Sequence, residues 1–224
     1  MFRVTVNFSE VQNKTKMEMT MSLPSEQAAK EAKVFIKKAS GDSTWDRLAE
    51  YLSPTDAFFI NRTFDAPTDV VFDMWTDPKH FVQWLPPTGL CMECLRAEIQ
   101  PGGSSFFCMR SGNGITMYGK VNYKTIEKPN LIVYSQVFCD QDEKVSRHPS
   151  TPTWPETLLT TVTLTKEDTN RTRVTIKSEV HGEASDAERE SFRKGRSDMT
   201  QGWTGSFDKL EACLSDNSLQ DRPE

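Results

Sequence analysis

The feature that most restricts the fold of this chain is an internal repeat. The segment DRLAEYLS at residues 46–53 is matched by DKLEACLS at residues 208–215, and residues 3–27 resemble residues 161–185 in pattern. In both copies, two stretches that alternate apolar and polar residues are joined by a polar turn and followed by a helix start. Alternation with a period of two is typical of half-buried strands. The repeat therefore predicts strand–strand–helix twice, near the beginning and near the end of the chain.

The stretch between the two copies occurs once and supplies the rest of a domain. Its pattern predicts a strand at residues 57–64 and two short helices at residues 66–75 and 77–85. Three or four strands follow, with Asn113-Gly114 as a hairpin turn. The segment 139–155 is rich in proline, serine and charged residues, and we expect it to lie over an opening.

The C-terminal helix decides how the sheet must be shaped. Its apolar residues recur at helical spacing on one face: Phe192, Met199, Trp203, Phe207, Leu210 and Leu214. One such helix cannot cover a wide sheet unless the sheet curls around it. We therefore predict an α+β fold, with an antiparallel sheet curled around a long C-terminal helix and an interior space between them. The complete domain is assigned to residues 56–214, a leading strand–strand–helix half-domain to residues 1–53, and a polar tail to residues 215–224.

Small residues form a second stripe on the same helix, at Gly195, Gly202 and Ser206. Glycine inside a helix costs up to about 1 kcal/mol relative to alanine. Close packing against the sheet would offset that cost, and so would space kept open for a ligand. The sequence leaves both interpretations open.

The composition restricts the partners and the compartment. The 224 residues carry a net charge of −5, and the basic residues are interleaved with acidic ones, which argues against a nucleic-acid partner. No run of eighteen apolar residues exists, so no membrane partner is predicted. The N-terminus lacks the features of a signal peptide, and five scattered cysteines suit a reducing compartment. We expect a cytoplasmic protein.

Four segments carry a resemblance to a known family: RTFDAPTDVVFDMWTDPKHFVQWLPP, IQPGGSSFFCMRSGNG, WPETLLTTVTL and GWTGSFDKLEACL. In this order they resemble the START-like polyketide-cyclase superfamily, in the branch related to the C-terminal domain of the activator of heat-shock protein 90 ATPase. The resemblance covers essentially all of residues 56–214 and implies a helix-grip fold with a cavity between the sheet and the last helix. Residues 1–53 look like the last two strands and the helix of a second such domain.

The cavity implied by the resemblance suggests non-enzymatic binding of a small apolar or aromatic ligand, since such pockets are mostly apolar with few polar groups. We expect Glu156, at the entrance, to orient a polar group of the ligand, although it could also be an ordinary surface carboxylate. The other predicted ligand-binding residues are Trp84, Phe107, Met117, Val133, Val162, Met199, Gly202 and Trp203.

Two other functions remain open from the resemblance. One is an interaction with a chaperone, by analogy with ATPase activation; the activator, however, docks through a separate N-terminal domain that residues 1–53 do not resemble. The other is an enzyme of the cyclase or hydrolase type. Fold analogy alone does not choose among the three.

The residues that could carry chemistry do not form a recognisable motif. Cys91 and Cys94 would need two further ligands to hold zinc, and positions three apart on a strand face opposite sides. The histidines His80, His148 and His181 have no catalytic partner at motif spacing. We therefore predict no metal, no cofactor and no catalytic residue.

The leading half-domain should need a partner surface. Two strands and one helix bury too little surface to be stable alone, and the strand at residues 15–21 would keep an unpaired edge, which invites pairing with another chain. Met17, Met19 and Met21 on one face also need to be covered. We expect residues 1–53 to dock on the complete domain or on a second copy, which would give a homodimer.

Overall fold

The computed structural model describes residues 2–11, 13–38 and 44–220. The chain divides into two compact units, residues 1–39 and residues 40–224. No helix of the described residues is long and apolar enough to cross a membrane.

The smaller unit is a hairpin followed by a helix. Strand β1 (Arg3–Val11) pairs antiparallel with β2 (Lys14–Ser22), and helix α1 covers Glu26–Lys38. The register places Val6 opposite Met19 and Phe8 opposite Met17, so the predicted apolar alternation lies on one face of the hairpin. Every residue of β1 is exposed.

The larger unit contains the remaining elements. These are α2 (Thr44–Leu52), β3 (Phe58–Phe64), α3 (Thr68–Thr76), α4 (Pro78–Trp84), β4 (Leu90–Ala97), β5 (Ser104–Ser111), β6 (Thr116–Glu127), β7 (Leu131–Cys139), β8 (Thr157–Asp168), β9 (Arg171–Val180), α5 (Asp186–Lys194) and α6 (Arg196–Gln220).

The seven strands of this unit form one antiparallel sheet in the order β3-β9-β8-β7-β6-β5-β4. The sheet curls around the long helix α6, which confirms the predicted α+β fold. Phe207 of α6 meets Phe64 of β3 edge-to-face at 5.5 Å, and Leu210 is fully buried in the same core. Burial of this apolar face is what holds the helix against the sheet.

Local capping explains where the shorter helices begin. Asp77 accepts a hydrogen bond from the backbone N–H of Lys79 at 2.8 Å, and Pro78 follows as the first residue of α4. Ser185 and Glu188 form a capping box at the start of α5. Both helices begin where the sequence predicted.

The long C-terminal helix predicted from the sequence is present as α6, and Gly195 separates it from the short helix α5 that precedes it. A Cβ atom on Gly195 would lie 2.5 Å from Cζ3 of Trp154, so the indole of Trp154 occupies the space beside the break. Helix α6 then continues to Gln220, beyond the predicted start of the polar tail.

Helix α2 packs against β3, the edge strand of the large sheet. Asp46 of α2 is 1% exposed and accepts a hydrogen bond from the side-chain amide of Asn61. Glu50 accepts a hydrogen bond at 3.2 Å from the backbone N–H of Phe59, a group that an edge strand otherwise leaves open. The sequence assigned α2 to the leading half-domain, whereas in the structure it belongs to the larger unit. The descent of residues 1–53 from a second domain stays a prediction.

Candidate ligand-binding cavity

The concave face of the large sheet and helix α6 enclose a cavity of about 430 Å³. Helices α3 and α4 contribute Trp75 and Phe81 to its lining, and the segment between β7 and β8 contributes His148, Thr151 and Trp154. That residues 139–155 lie over the opening stays a prediction. This volume lies within the range of about 300–1,000 Å³ that small-molecule sites occupy.

Most of the strand wall of the cavity follows the two-residue period of β6 and β7, and Tyr118 and Val137 are the exceptions. Met117, Gly119, Val121 and Tyr123 of β6 line it, and so do Ile132 and Tyr134 of β7. Gly119 lies opposite Phe107 of β5, and a Cβ atom at Gly119 would lie 2.4 Å from Cζ of that ring. The glycine therefore lets the Phe107 ring lie flat across the neighbouring strand, where it forms part of the wall.

The inner end of the cavity is aromatic. Trp75 of α3 stacks on Trp203 of α6, with 6.0 Å between ring centroids and an interplanar angle of 28°. Trp84 of α4 lies behind them, fully buried, with its ring 4.6 Å from that of Trp75. The indole N–H of Trp84 donates to the carbonyl oxygen of Met74 at 2.8 Å. Trp84 therefore supports the wall from the core and is not itself part of the lining.

The structure brings most of the predicted site residues together. Those that line the cavity are Phe107, Met117, Glu156, Met199, Gly202 and Trp203. Val133 and Val162 do not line it: Val133 alternates with the lining residues Ile132 and Tyr134, and Val162 is fully buried in the core. Binding of a ligand by any of these residues stays a prediction.

Three hydroxyl groups of the cavity wall are engaged within the protein. Tyr123 shares a hydrogen bond with Ser105 at 3.1 Å between the two oxygens, and Ser206 donates to the carbonyl oxygen of Leu85 at 2.7 Å. Burial raises the pKa of Tyr134 well above its ordinary value, although its hydrogen bond to Thr160 opposes that shift. Both tyrosines are therefore neutral phenols at physiological pH.

The mouth of the cavity carries a histidine and two carboxylates. His148 packs edge-on against Phe138 at 4.8 Å, and burial lowers its pKa. Its Nδ1 accepts a hydrogen bond from the backbone N–H of Ser150 at 3.1 Å, which assigns the proton of the neutral ring to Nε2. Glu156 and Asp198 are exposed members of the lining, which, among the described residues, contains no lysine or arginine. Both charged residues of the lining are therefore acidic.

Three ion pairs, formed by two glutamates, anchor the segment at the mouth. Glu143 accepts hydrogen bonds from Arg96, at 2.8 Å, and from Lys120, at 2.9 Å, and these bonds lower its pKa to about 2. Glu188 accepts a hydrogen bond from the backbone N–H of Ser185 at 2.8 Å and an ion-pair hydrogen bond from Arg147. The bond from Ser185 and the pairing with Arg147 lower the pKa of Glu188 to about 2.

The other candidate residues lie apart from the cavity. Cys91 is exposed and Cys94 is half-buried, and each thiol lies within hydrogen-bond reach of a backbone carbonyl. His80 and His181 are not among the lining residues. The described part of the chain contains no cluster of three or more His, Cys, Asp or Glu residues that could hold a metal ion. The predictions of no metal and no cofactor stay predictions.

Sequence reasoning did not select Trp75, Gly119, Tyr134, His148 or Trp154, all of which line the cavity. For Gly119 a signal was present in the sequence, since Met117, Gly119 and Val121 alternate with other residues and share one face of a strand. For Trp75 and His148 no such signal exists, because the direction of a helical or loop side chain depends on how its element packs.

Comparison with known proteins agrees with this architecture. The family model for the activator of Hsp90 ATPase homolog 1-like proteins matches residues 65–215. No curated protein matches the chain.

Several solved structures are similar in fold. The solution structure of a protein from Arthrobacter aurescens has 24% identity and a TM-score of 0.60, with 71% of this chain and 86% of that chain covered. A protein from Staphylococcus epidermidis has 22% identity and a TM-score of 0.59, with 74% and 93% covered. The Mycobacterium smegmatis protein Ms6760 has 18% identity and a TM-score of 0.59, with 70% and 90% covered. At these identities the similarity establishes the fold.

Proposed function

The chain belongs to the family of activator of Hsp90 ATPase homolog 1-like proteins, and from that premise we propose that it binds a small apolar or aromatic ligand, without covalent chemistry, in the cavity between the sheet and α6. The observation that carries the proposal is the cavity of about 430 Å³ with the stacked Trp75–Trp203 pair in its wall. Protein interiors are normally packed without voids of this size, because the lining atoms lose dispersion contacts. A ligand of complementary shape restores those contacts.

The charged residues at the mouth restrict the class of ligand further. Glu156 and Asp198 would repel an anion, and the described lining residues include no cationic side chain to offset them. Like charges at a binding site disfavour association. The ligand is therefore a neutral or cationic molecule rather than a carboxylate such as a fatty acid.

Two dyes that differ by one sulfonate test this proposal. N-phenyl-1-naphthylamine is neutral, and 8-anilino-1-naphthalenesulfonate has the same aromatic skeleton with a negative charge. We expect the neutral dye to bind more tightly than the anionic one, measured by fluorescence titration. Absence of binding by the neutral dye, or a preference for the anionic one, would contradict the proposal.

A matched pair of glycine substitutions locates the binding. Gly202 lines the cavity, whereas a Cβ atom on Gly112, in the turn after β5, meets open space. Gly202→Leu should weaken binding of the neutral dye by about tenfold or more because its side chain takes up ligand volume. Gly112→Leu should leave the affinity unchanged.

The alternative is an activator-like interaction with a chaperone, which the description of the family supports. In that role the cavity would be dispensable, and Gly202→Leu would leave the interaction intact. Dye binding that is blocked by Gly202→Leu favours the ligand-binding function.

A further inference from the structure

One side-chain amide in the strand wall of the cavity makes no hydrogen bond within the described part of the chain. It belongs to Gln136 of β7, which is half-buried and is a member of the cavity lining. In the register of the sheet, Gln136 lies opposite Val121 of β6 and Leu158 of β8, and both of these residues also line the cavity. Residues directly opposite each other on neighbouring strands share one face of the sheet. The side chain of Gln136 therefore lies on the concave face, between two apolar neighbours.

Both amide atoms of Gln136 are accessible to a bound molecule. Neither its oxygen nor its nitrogen is among the buried side-chain atoms that lack a hydrogen bond, so each keeps some accessible surface. The phenols on the same wall differ in this respect, because Tyr123 is engaged with Ser105 and Tyr134 with Thr160. Among these three polar side chains of the wall, Gln136 is the one whose hydrogen-bonding groups are open to a ligand.

An amide at this position has a cost when an apolar ligand fills the cavity. The side chain of glutamine carries two N–H donors and one carbonyl acceptor. Water satisfies these groups as long as it reaches them, but a ligand that displaces the water without replacing its hydrogen bonds loses affinity. Burying an amide against apolar surface without a partner is unfavourable. A ligand that binds well must therefore present both an acceptor and a donor to Gln136.

We propose that Gln136 is a specificity-determining residue whose side-chain amide pairs with an amide group of the bound ligand. The inference rests on the proposed ligand binding and deepens it. Glutamine presents its donor and its acceptor side by side, and a lactam presents a C=O and an N–H in the matching arrangement, so the two groups form two parallel hydrogen bonds. The acidic side chains of Glu156 and Asp198 disfavour a carboxylate. The ligand class is therefore a neutral aromatic lactam or amide.

Two isosteric probes test this pairing separately from shape. 4-Phenylquinolin-2(1H)-one is a neutral aromatic lactam, and 4-phenylcoumarin has the same shape with a ring oxygen in place of the N–H. We expect the full chain to bind the lactam about tenfold or more tightly, because the lactone lacks one hydrogen bond and places an acceptor against the oxygen of Gln136. Isothermal titration calorimetry measures both affinities.

Two glutamine substitutions complete the binding experiment. Gln136→Met keeps a side chain of similar length but removes its donors and its acceptor, so the preference for the lactam should disappear. Gln83 is the matched control, since it is exposed on α4, lies outside the cavity lining and donates to the carbonyl oxygen of Lys79 in its own helix. Gln83→Met should retain the preference.

The stability of the unliganded protein provides a readout that needs no probe. Gln136→Met should leave the midpoint of urea unfolding unchanged or raise it, because the fold loses no hydrogen bond and the wall loses a polar group. A lower midpoint would show that the amide stabilises the fold, and it would overturn the proposed role of Gln136.

The binding results distinguish the two proposals. Equal affinity for the lactam and the lactone on the unaltered chain, or a lactam preference that survives Gln136→Met, would overturn the role of Gln136 and leave ligand binding intact. Failure of both probes to bind would also overturn it, while the neutral naphthylamine titration judges the ligand-binding function independently.

Discussion

The glycines that face the cavity differ in what an added methyl group would meet at each. A Cβ atom would lie 2.4 Å from the Phe107 ring at Gly119 and 2.5 Å from the Trp154 ring at Gly195. At Gly202 the nearest atom is Cγ of Pro87, at the ordinary contact distance of 3.8 Å. Close packing therefore requires glycine at the first two positions, whereas the space beside Gly202 is part of the cavity. Of the two interpretations that the sequence left open, close packing therefore applies to Gly195, and space for a ligand applies to Gly202.

Alanine substitutions at these helix positions should have opposite effects on stability. Gly202→Ala should raise the free energy of unfolding by up to about 1 kcal/mol, because it improves helix propensity without a clash. Gly195→Ala should lower it by about 1–3 kcal/mol, because the new methyl group must displace the Trp154 ring. Urea unfolding at an unchanged m-value measures both. A loss at Gly202 as large as the loss at Gly195 would show that Gly202 is closely packed.

Individual lining residues could be predicted where a strand period or a helix face fixes direction. Met117 and Met199 were identified in this way. The choice of Val133 as a lining residue was wrong, because residues 132 and 133 are both apolar and only the pairing of β7 decides which one faces inward. Trp84 and Trp75 are equally bulky and both belong to the core, and only the packing of the helices decides that Trp75 also lines the cavity.

At the scale of elements, the segment between β7 and β8 depends on charge to stay at the mouth of the cavity. Glu143 and Glu188 both have pKa values of about 2 in the folded protein, below the ordinary value of 4.5 for glutamate. A lowered pKa means that the carboxylates stabilise the fold above pH 4.5 and that this contribution is lost as the pH falls from 4.5 towards 2. We expect the segment to loosen in that interval, measured by hydrogen exchange of its amides.

A neutral substitution should reproduce the loosening at pH 7. Arg147→Met removes the ion pair with Glu188 and should increase amide exchange across residues 145–154. Ser185→Ala breaks the capping box at α5 and leaves Arg147 in place, so it is the control for a general effect on the helix. Equal protection of the segment in the Arg147 variant and the unaltered chain would show that the ion pair does not anchor it.

The elements themselves were largely predictable, since capping residues and alternation are local signals. The need for glycine at position 195 was not, because it comes from the contact with Trp154, which is 41 residues away in the chain. The position of α2 could not be predicted from the sequence either. The repeat associated α2 with the hairpin before it, but its buried contacts are with Asn61 and Phe59 of β3.

Across the larger unit, the two copies of the repeated helix meet the same strand. Asp46 of α2 hydrogen-bonds Asn61, while its repeat counterpart Asp208 of α6 pairs with Arg62 at 2.6 Å. Successive residues of a strand point to opposite faces. Strand β3 therefore lies between α2 on one face and α6 on the other.

The hairpin of the smaller unit exposes the apolar side chains from which the sequence analysis predicted docking or a homodimer. Phe8 is 69% exposed, and Val4, Val6, Met19 and Met21 are exposed beside it. A two-stranded sheet is marginally stable in water, and an exposed apolar edge pairs readily with another chain. A second copy of the hairpin offers a surface of the same shape and polarity.

We therefore expect the full chain to form a homodimer through this unit. Deletion of residues 1–39 should give a folded monomer, since it leaves α2 on β3. Deletion of residues 1–54 removes α2 as well, exposes the backbone N–H of Phe59 and leaves Arg196 without Glu50, so this variant should unfold at a lower urea concentration than the shorter deletion. Light scattering gives the oligomeric state of each chain. A full chain that stays monomeric at every concentration, with residues 2–38 readily cleaved by protease, would contradict the dimer.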